Sequence, residues 1–106
     1  MFFEFRQYTL FPGKRDEWVR YMESTIIPFQ VSKGMVVVGS FVDEQDENVY
    51  YWMRRFRNEK ERERLYKAVY ETAEWKDVIG PKVGTMLDRP SIVVKRLAPT
   101  AKSVIE

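Results

Sequence analysis

Glu4, Arg6 and Tyr8 are the first residues in the chain whose types and spacing could do chemistry. They lie two apart in a segment rich in aromatic residues, and a β-strand would place all three side chains on one face. As catalytic candidates, Arg6 would hold an anionic or carbonyl oxygen, and Tyr8 would donate a hydrogen bond or act as a weak acid. Glu4 would act as a base if burial raised its pKa. In the structural alternative, Glu4 and Arg6 form a charge network that satisfies itself near a subunit interface.

Tyr50, Trp52 and Arg54 form a second group with the same two-residue spacing. On one strand face they would make an aromatic wall with a cationic anchor, which suits a flat, partly polar ligand. In the alternative, Tyr50 and Trp52 fill an interface between two subunits while Arg54 reaches out to its rim. Both interpretations of these ligand-binding candidates stay open from the residues alone.

The absence of two residue types narrows the chemistry. The chain has no histidine and no cysteine, so it lacks the commonest general base, the usual zinc and haem ligands, disulfides and thiol chemistry. The acidic loop 43–47 has neither the spacing nor the glycine of a calcium-binding loop, and the sequence has no glycine-rich phosphate-binding motif. We therefore expect no metal and no cofactor.

Length and composition predict a single domain over residues 1–106 that stays in the cytoplasm. Seven Phe, six Tyr and three Trp exceed what so small a core needs, so some should line an interface or a pocket. We expect no secretory signal at the start of the sequence, and no apolar stretch approaches the roughly 18 residues of a membrane span. A net charge of +2 does not mark a nucleic-acid binder, which would show a one-sided basic surplus.

Hydrophobic periodicity and the turn-forming residues predict the order of elements. These are a strand over 2–10, a helix from Lys14 that Pro28 kinks or ends, strands over 35–42 and 48–56, a helix over 59–70, a short helix from Thr72 stopped by Gly80-Pro81, and a strand over 91–97. Asn58 followed by Glu61 predicts a capping-box-like start for the second long helix.

The order β-α-β-β-α-β predicts an α+β fold of the ferredoxin-like kind, with a four-stranded antiparallel sheet and helices on one face. The other face would then be bare. We expect Tyr8, Tyr50 and Trp52 on that bare face, which would pack against a second copy of the chain to give a homodimer. The tail over 98–106 is expected to be loosely held or to reach across to the partner.

Four segments resemble the NIPSNAP-domain family. Glu4 to Lys14 is similar to its opening E-x-R-x-Y-x-L-x-P-G-K motif, and Gly39 stands where the family has a glycine in its second strand. Phe56 followed by Arg62 resembles its aromatic residue at the strand end and the helix start after it. The segment from Tyr70 to Trp75 resembles its Y-A-D-P-E-W sequence. The resemblance covers residues 2–98 and implies a dimeric α+β barrel.

The chain also departs from the family pattern. Trp52 stands where the family tends to have histidine, Arg54 where it tends to have tryptophan, and Ala73 where it has proline. A family activity that depended on the histidine would be missing here.

Two functions remain open from the sequence. In the first, the domain binds a small molecule between sheet and helices, and it could be a cofactor-free enzyme acting on an enolisable or aromatic carbonyl compound. In the second, it is a non-enzymatic module whose dimer presents a surface to a protein partner. A pocket with Arg6 and Tyr8 pointing into it would favour the first, and a completely filled interior would favour the second.

Overall fold

The computed structural model describes residues 1–105 and shows the predicted alternation of strands and helices. In chain order the elements are β1 (Phe2–Thr9), α1 (Arg15–Tyr21), a first π-helical turn (Met22–Ile26), α2 (Ile27–Ser32), β2 (Val36–Val42), β3 (Val49–Phe56), α3 (Glu59–Tyr70), a second π-helical turn (Glu74–Ile79), α4 (Gly80–Val83), a 3-10 turn (Arg89–Ser91) and β4 (Val93–Leu97). Each predicted strand is present, with its ends shifted by about two residues at most.

The four strands form one antiparallel sheet in the order β2-β3-β1-β4. The predicted α+β, ferredoxin-like arrangement is therefore confirmed. In the register of the two central strands, Glu4 lies opposite Arg54, and Arg6 lies opposite Trp52. Since opposite residues of paired strands share a face, both candidate groups of the sequence lie on the same side of the sheet.

The helices cover that side, which corrects one prediction. Tyr8, Tyr50 and Trp52 are buried with Trp18 and the rest of the main hydrophobic core, although they were expected on the bare face. The two-residue period fixes which side chains share a face, but it does not say which face the helices cover. The expected dimer contact therefore cannot be made by these three residues.

Two prolines lie inside longer helical segments, and this corrects the predictions that Pro28 would end its helix and that Gly80-Pro81 would stop the next one. A π-helical turn precedes Pro28, which then falls in the first turn of α2. The second π-helical turn precedes Gly80 and Pro81 in the same way, and α4 continues to Val83. A proline is tolerated in the first turn of a helical segment because its missing N–H is not needed there.

The start of α3 has the predicted cap. The side chain of Asn58 accepts a hydrogen bond from the backbone N–H of Glu61 at 2.9 Å. The carboxylate of Glu61 in turn accepts from the backbone N–H of Arg57 at 3.0 Å. These two hydrogen bonds fix where α3 begins, and so fix which of its side chains turn toward the sheet, although the second comes from Arg57 and not from the cap residue itself.

The opposite face of the sheet carries a second set of apolar side chains. Phe5 of β1 and Tyr51 of β3 stack with their ring centres 5.7 Å apart. Phe3 and Met53 lie beside a groove that is completed by Leu97 at the end of β4 and by the chain that follows it as far as Ile105. We refer to this surface, which lacks helices, as the open face.

Candidate functional site

A cavity of about 140 Å³ lies between the central strands and the helices. Most of its wall is apolar, and its aliphatic part consists of Met22, Ile26, Val83, Leu87 and Ile92. Trp18, Trp52 and Trp75 also line it, and these are all the tryptophans of the chain. The wall becomes polar at four side chains: Arg6, Tyr8, Tyr70 and Arg89.

The strand and helix periods explain why these side chains meet. Arg6 and Tyr8 lie two residues apart on β1, so both side chains project toward the helices. There Trp18 of α1 packs against Tyr8. The rings of Tyr8 and Trp18 meet edge to face with centres 5.8 Å apart. Trp52, opposite Arg6 in the register, meets Tyr8 in a similar geometry at 6.3 Å. Edge-to-face packing holds these rings in defined orientations around the space between them.

Arg6 brings a positive charge to the cavity wall. One of its terminal nitrogens donates to Glu4 at 3.2 Å and to the hydroxyl of Tyr66 at 3.2 Å. Its Nε is buried and has no hydrogen-bond partner among residues 1–105. Only 17% of the side chain is exposed. Glu4 and Tyr66 thus hold one terminal nitrogen of the guanidinium, while its Nε–H, a strong donor, has no acceptor among residues 1–105.

Tyr8 is suited to donate a hydrogen bond. Burial raises the pKa of its hydroxyl, and the nearby charge of Arg6 opposes this effect only in part. The hydroxyl therefore keeps its proton at neutral pH. A raised pKa also makes Tyr8 a weaker acid than an ordinary tyrosine.

Glu4 does not meet the condition for a general base. Burial alone would raise its pKa, but the charge of Arg54 and a hydrogen bond from Tyr66 outweigh burial and lower the pKa to about 2. The Tyr66 hydroxyl lies 2.7 and 2.6 Å from its two oxygens. Arg54 and Arg6 also pair with this carboxylate, which does not belong to the cavity wall. Glu4 is therefore ionised, fully engaged and turned away from any ligand.

Arg54 is fully buried, which corrects the expectation that it would reach the rim of an interface. Besides Glu4, it donates to Gln30 at 2.8 Å, to the Tyr70 hydroxyl at 2.7 Å and to the Tyr66 hydroxyl at 2.8 Å. Its guanidinium also lies over the Trp52 ring, 4.6 Å from the ring centre. A buried guanidinium needs such partners, since leaving its donors unsatisfied is costly.

These contacts form one ion cluster, which we define as Glu4, Arg6, Gln30, Arg54, Arg62, Tyr66 and Tyr70. Arg62 closes it at the surface. It pairs with Glu59 at 3.2 Å, as the helix spacing predicts, and also reaches Glu4 at 3.2 Å. Arg6 and Tyr70 belong to both the ion cluster and the cavity wall, so the cluster forms the polar back of the cavity.

The predicted site residues thus separate into three places. Arg6, Tyr8 and Trp52 line the cavity. Glu4 and Arg54 lie behind it in the ion cluster. Tyr50 lies apart from both, buried in the core with its hydroxyl bonded to Ser40.

Sequence reasoning missed Gln30, Tyr66, Tyr70 and Arg89. A signal for the tyrosines was present, because Arg62, Tyr66 and Tyr70 follow each other at a spacing of four on α3 and so share one helix face. A lone glutamine in a predicted amphipathic helix gives no comparable signal. Nor does Arg89, which lies in the 3-10 turn just before β4.

Residues 1–105 contain no group of three or more acidic side chains placed to hold a metal ion. None of the helices they form is long and apolar enough to cross a membrane. The absence of a cofactor stays a prediction from the sequence.

A four-stranded antiparallel sheet with helices and a cavity on one face defines an α+β protein of ferredoxin-like fold. Comparison with known proteins narrows this class. The NIPSNAP family model matches residues 3–100, and the chain therefore belongs to the NIPSNAP family. No curated protein matches the chain.

Several solved structures share the fold. One is a NIPSNAP family protein of unknown function from Agrobacterium tumefaciens, with a TM-score of 0.88 and 22% identity over 100% of this chain and 94% of that one. Another is an uncharacterized NIPSNAP domain protein from Burkholderia xenovorans, with a TM-score of 0.85 and 15% identity over 97% and 98%. An antibiotic biosynthesis monooxygenase is similar at a TM-score of 0.67 and 14% identity over 94% and 99%. At these identities the likeness establishes the fold alone.

Proposed function

We propose that the protein binds one small organic molecule in the cavity between the sheet and the helices. The observation that carries this proposal is that Arg6, whose buried Nε has no hydrogen-bond partner among residues 1–105, is one of the side chains lining this aromatic-walled cavity. Buried polar groups are nearly always hydrogen-bonded, so an unused donor on a charged group beside a cavity favours a bound acceptor. Arg6 would hold an anionic or carbonyl oxygen of the ligand, and Tyr8 would donate a second hydrogen bond.

Binding is better supported than proton abstraction from an enolisable carbonyl compound. Such a reaction needs a base near the bound substrate. The chain has no histidine or cysteine, and no carboxylate among residues 1–105 lines the cavity. Tyr8 keeps its proton, and Glu4 is ionised behind the wall. We therefore propose a binding protein in which Arg6 orients and polarises the ligand.

We also propose that the protein is a homodimer whose two copies pack against each other through the open face. This face presents stacked Phe5 and Tyr51 together with Phe41, which is 52% exposed. Val36 of β2 and Leu97 of β4 are also exposed on it. Contiguous apolar surface of this kind is uncommon on a monomer and favours a subunit contact.

Tryptophan fluorescence tests the binding proposal directly, because every tryptophan of the chain lines the cavity. A set of six- to ten-atom fragments, neutral and anionic, would be titrated into the purified protein. We expect saturable quenching by at least one fragment, which Ile92→Phe abolishes by filling the cavity. The matched control Val31→Phe, at an exposed position, should bind as the wild type does. The proposal would be overturned if none of the fragments bound in a saturable way.

A further inference from the structure

The polar groups of the cavity wall offer donors and few acceptors. The indole N–H of Trp18 is buried and unpartnered among residues 1–105, as is Nε of Arg6. The indole N–H of Trp52 also lacks a partner of good geometry, although it lies close enough to the Tyr8 hydroxyl to influence the pKa of that group. Guanidinium and indole N–H groups can only donate. The side chains of Arg6, Trp18 and Trp52 therefore supply no acceptor to a ligand in the cavity.

The Tyr70 hydroxyl adds another donor to the wall. Its oxygen accepts from Arg54 at 2.7 Å and from Gln30 at 3.4 Å. A hydroxyl has one proton to donate besides its acceptor sites, and no acceptor for that proton is found among residues 1–105. Since Tyr70 lines the cavity, the proton is available to a bound molecule.

The charge on this side of the sheet is positive. Three guanidiniums of the ion cluster share one carboxylate, which leaves a surplus of two positive charges: Arg6, Arg54 and Arg62 around Glu4. Adding the next pair outward, Glu59 and Arg96, leaves that surplus unchanged. The guanidinium that lines the cavity is therefore only partly neutralised, and it favours a negative charge within reach.

Arg89, which also lines the cavity, strengthens this preference. It donates to the carbonyl oxygen of Gly80 at 2.6 Å and forms no ion pair within residues 1–105. Two guanidiniums thus border a space that no carboxylate lines. Arginine is the side chain best suited to a carboxylate, since its planar fork matches the two oxygens.

The remaining wall sets the size and shape of the ligand. Five aliphatic side chains and the tryptophan rings enclose the rest of the space. An apolar cavity of about 150 Å³ accommodates a molecule the size of benzene. The volume of about 140 Å³ therefore fits an apolar body no larger than one six-membered ring or a branched chain of similar size.

From these observations we infer that the ligand is a small monocarboxylate with a flat or branched apolar body, its carboxylate held by Arg6 and the Tyr8 hydroxyl. This inference rests on the proposed binding function and narrows it to one ligand class. A buried carboxylate is tolerated only when it is paired and hydrogen-bonded, and the wall supplies both. The arrangement discriminates against neutral amides and alcohols, whose own donors would find few acceptors.

Benzoate and benzamide make a matched pair of probes, because they share a ring and differ in charge and in donors. The ¹H–¹⁵N spectrum of the protein contains three indole signals, one for each of the three tryptophans, and a signal for Nε of Arg6. We expect benzoate to shift the Trp18 indole and Arg6 Nε signals in a saturable way. Benzamide should bind at least about tenfold more weakly, since it lacks the charge that the guanidinium pairs with.

Variants assign the recognition to named groups. Arg6→Gln should weaken benzoate binding at least about tenfold, and Tyr8→Phe should weaken it several-fold while keeping the ring. Arg89→Met provides a second charge variant outside the ion cluster, in case Arg6→Gln fails to fold. The control is Arg64→Gln, at an arginine that is 68% exposed and does not line the cavity. It should bind benzoate with wild-type affinity.

The outcomes separate the two proposals. Equal or tighter binding of benzamide, or of a neutral alcohol such as benzyl alcohol, would overturn the carboxylate class and leave small-molecule binding in place. Wild-type benzoate affinity in folded Arg6→Gln and Arg89→Met would also overturn it. If no fragment of either kind binds, the proposed function fails, and this inference fails with it.

Discussion

Glu4 and Arg54 lie directly opposite each other on β1 and β3 and form an ion pair whose side chains are 1% and 0% exposed. Their register places the only buried carboxylate among residues 1–105 beside a fully buried guanidinium. A slip of one residue between the strands would separate them and move one to the open face. The pair therefore links the strand register to the polar back of the cavity, and it stabilises the fold only while both partners are present.

We expect Glu4→Gln to lower the free energy of unfolding by about 3–5 kcal/mol, because it leaves Arg54 buried without its counter-charge. Urea unfolding followed by circular dichroism measures this loss. Glu59→Gln is the matched control, since Glu59 pairs with Arg62 and Arg96 at the surface. Its cost should stay below about 1 kcal/mol. Equal losses of unfolding free energy in the two variants would show that the buried pair contributes no more to stability than the exposed one.

The same carboxylate predicts how stability depends on acid. Its pKa is lowered from 4.5 to about 2 in the folded protein, so the folded state binds the proton less readily than the unfolded state. The resulting stability is fully present above pH 4.5 and is lost as the pH falls toward 2. It amounts to roughly 3 kcal/mol. Unfolding midpoints measured at several pH values across this window would show the decline.

Glu4→Gln provides the internal reference for this acid effect. Glu17 and Asp43 also have lowered pKa values, and they contribute equally to the wild type and the variant. The difference in stability between the two proteins should therefore shrink as the pH falls from 4.5 to 2. A difference that stays constant over this range would contradict the assignment of the lowered pKa to Glu4.

Substitution of Tyr66 tests the hydrogen bonds of the ion cluster separately from its charges. Its hydroxyl donates to Glu4 and accepts from Arg54 at 2.8 Å and from Arg6 at 3.2 Å. Tyr66→Phe should cost about 1–3 kcal/mol, since it leaves buried charged groups short of one partner each. Thermal or urea unfolding gives the value.

A matched variant keeps the Tyr66 result interpretable. Only burial perturbs the pKa of Tyr21, and its hydroxyl makes no hydrogen bond to another residue in 1–105. Tyr21→Phe should therefore change stability by less than about 0.5 kcal/mol. Similar losses for both variants would mean that the Tyr66 hydroxyl contributes no more than a hydroxyl without a hydrogen-bond partner.

Local sequence signals predicted most of the elements, because each depended on nearby residues. Alternating aromatic residues fixed β1 and β3, and Asn58 with Glu61 fixed the start of α3. The prolines were misjudged, since a π-helical turn before Pro28 depends on how the whole segment packs and not on the proline itself.

The candidate site was only half predictable. Arg6, Tyr8 and Trp52 could be grouped from the strand period and do line one cavity. The pairing of Glu4 with Arg54 required the register of strands that are fifty residues apart in sequence, which no local pattern supplies. The strand period does not say which face of the sheet the helices cover. Tyr8, Tyr50 and Trp52 were therefore assigned to the open face, although they lie on the face that the helices cover.

The open face provides the test of the proposed homodimer. Phe5→Glu would place a charge in the middle of this face beside Tyr51, and burying it against a second copy would be costly. We expect the wild type to sediment as a dimer and the variant to have a dissociation constant at least about tenfold higher. Analytical ultracentrifugation over a concentration series measures both, and circular dichroism checks that the variant is folded.

Met53→Glu, on the same face, gives a second variant if Phe5→Glu does not fold. Val78→Glu is the control, since Val78 is 64% exposed in the second π-helical turn and its substitution should leave the dimer intact. A monomeric wild type, or folded open-face variants that dimerise like the wild type, would show that the open face is not the subunit contact.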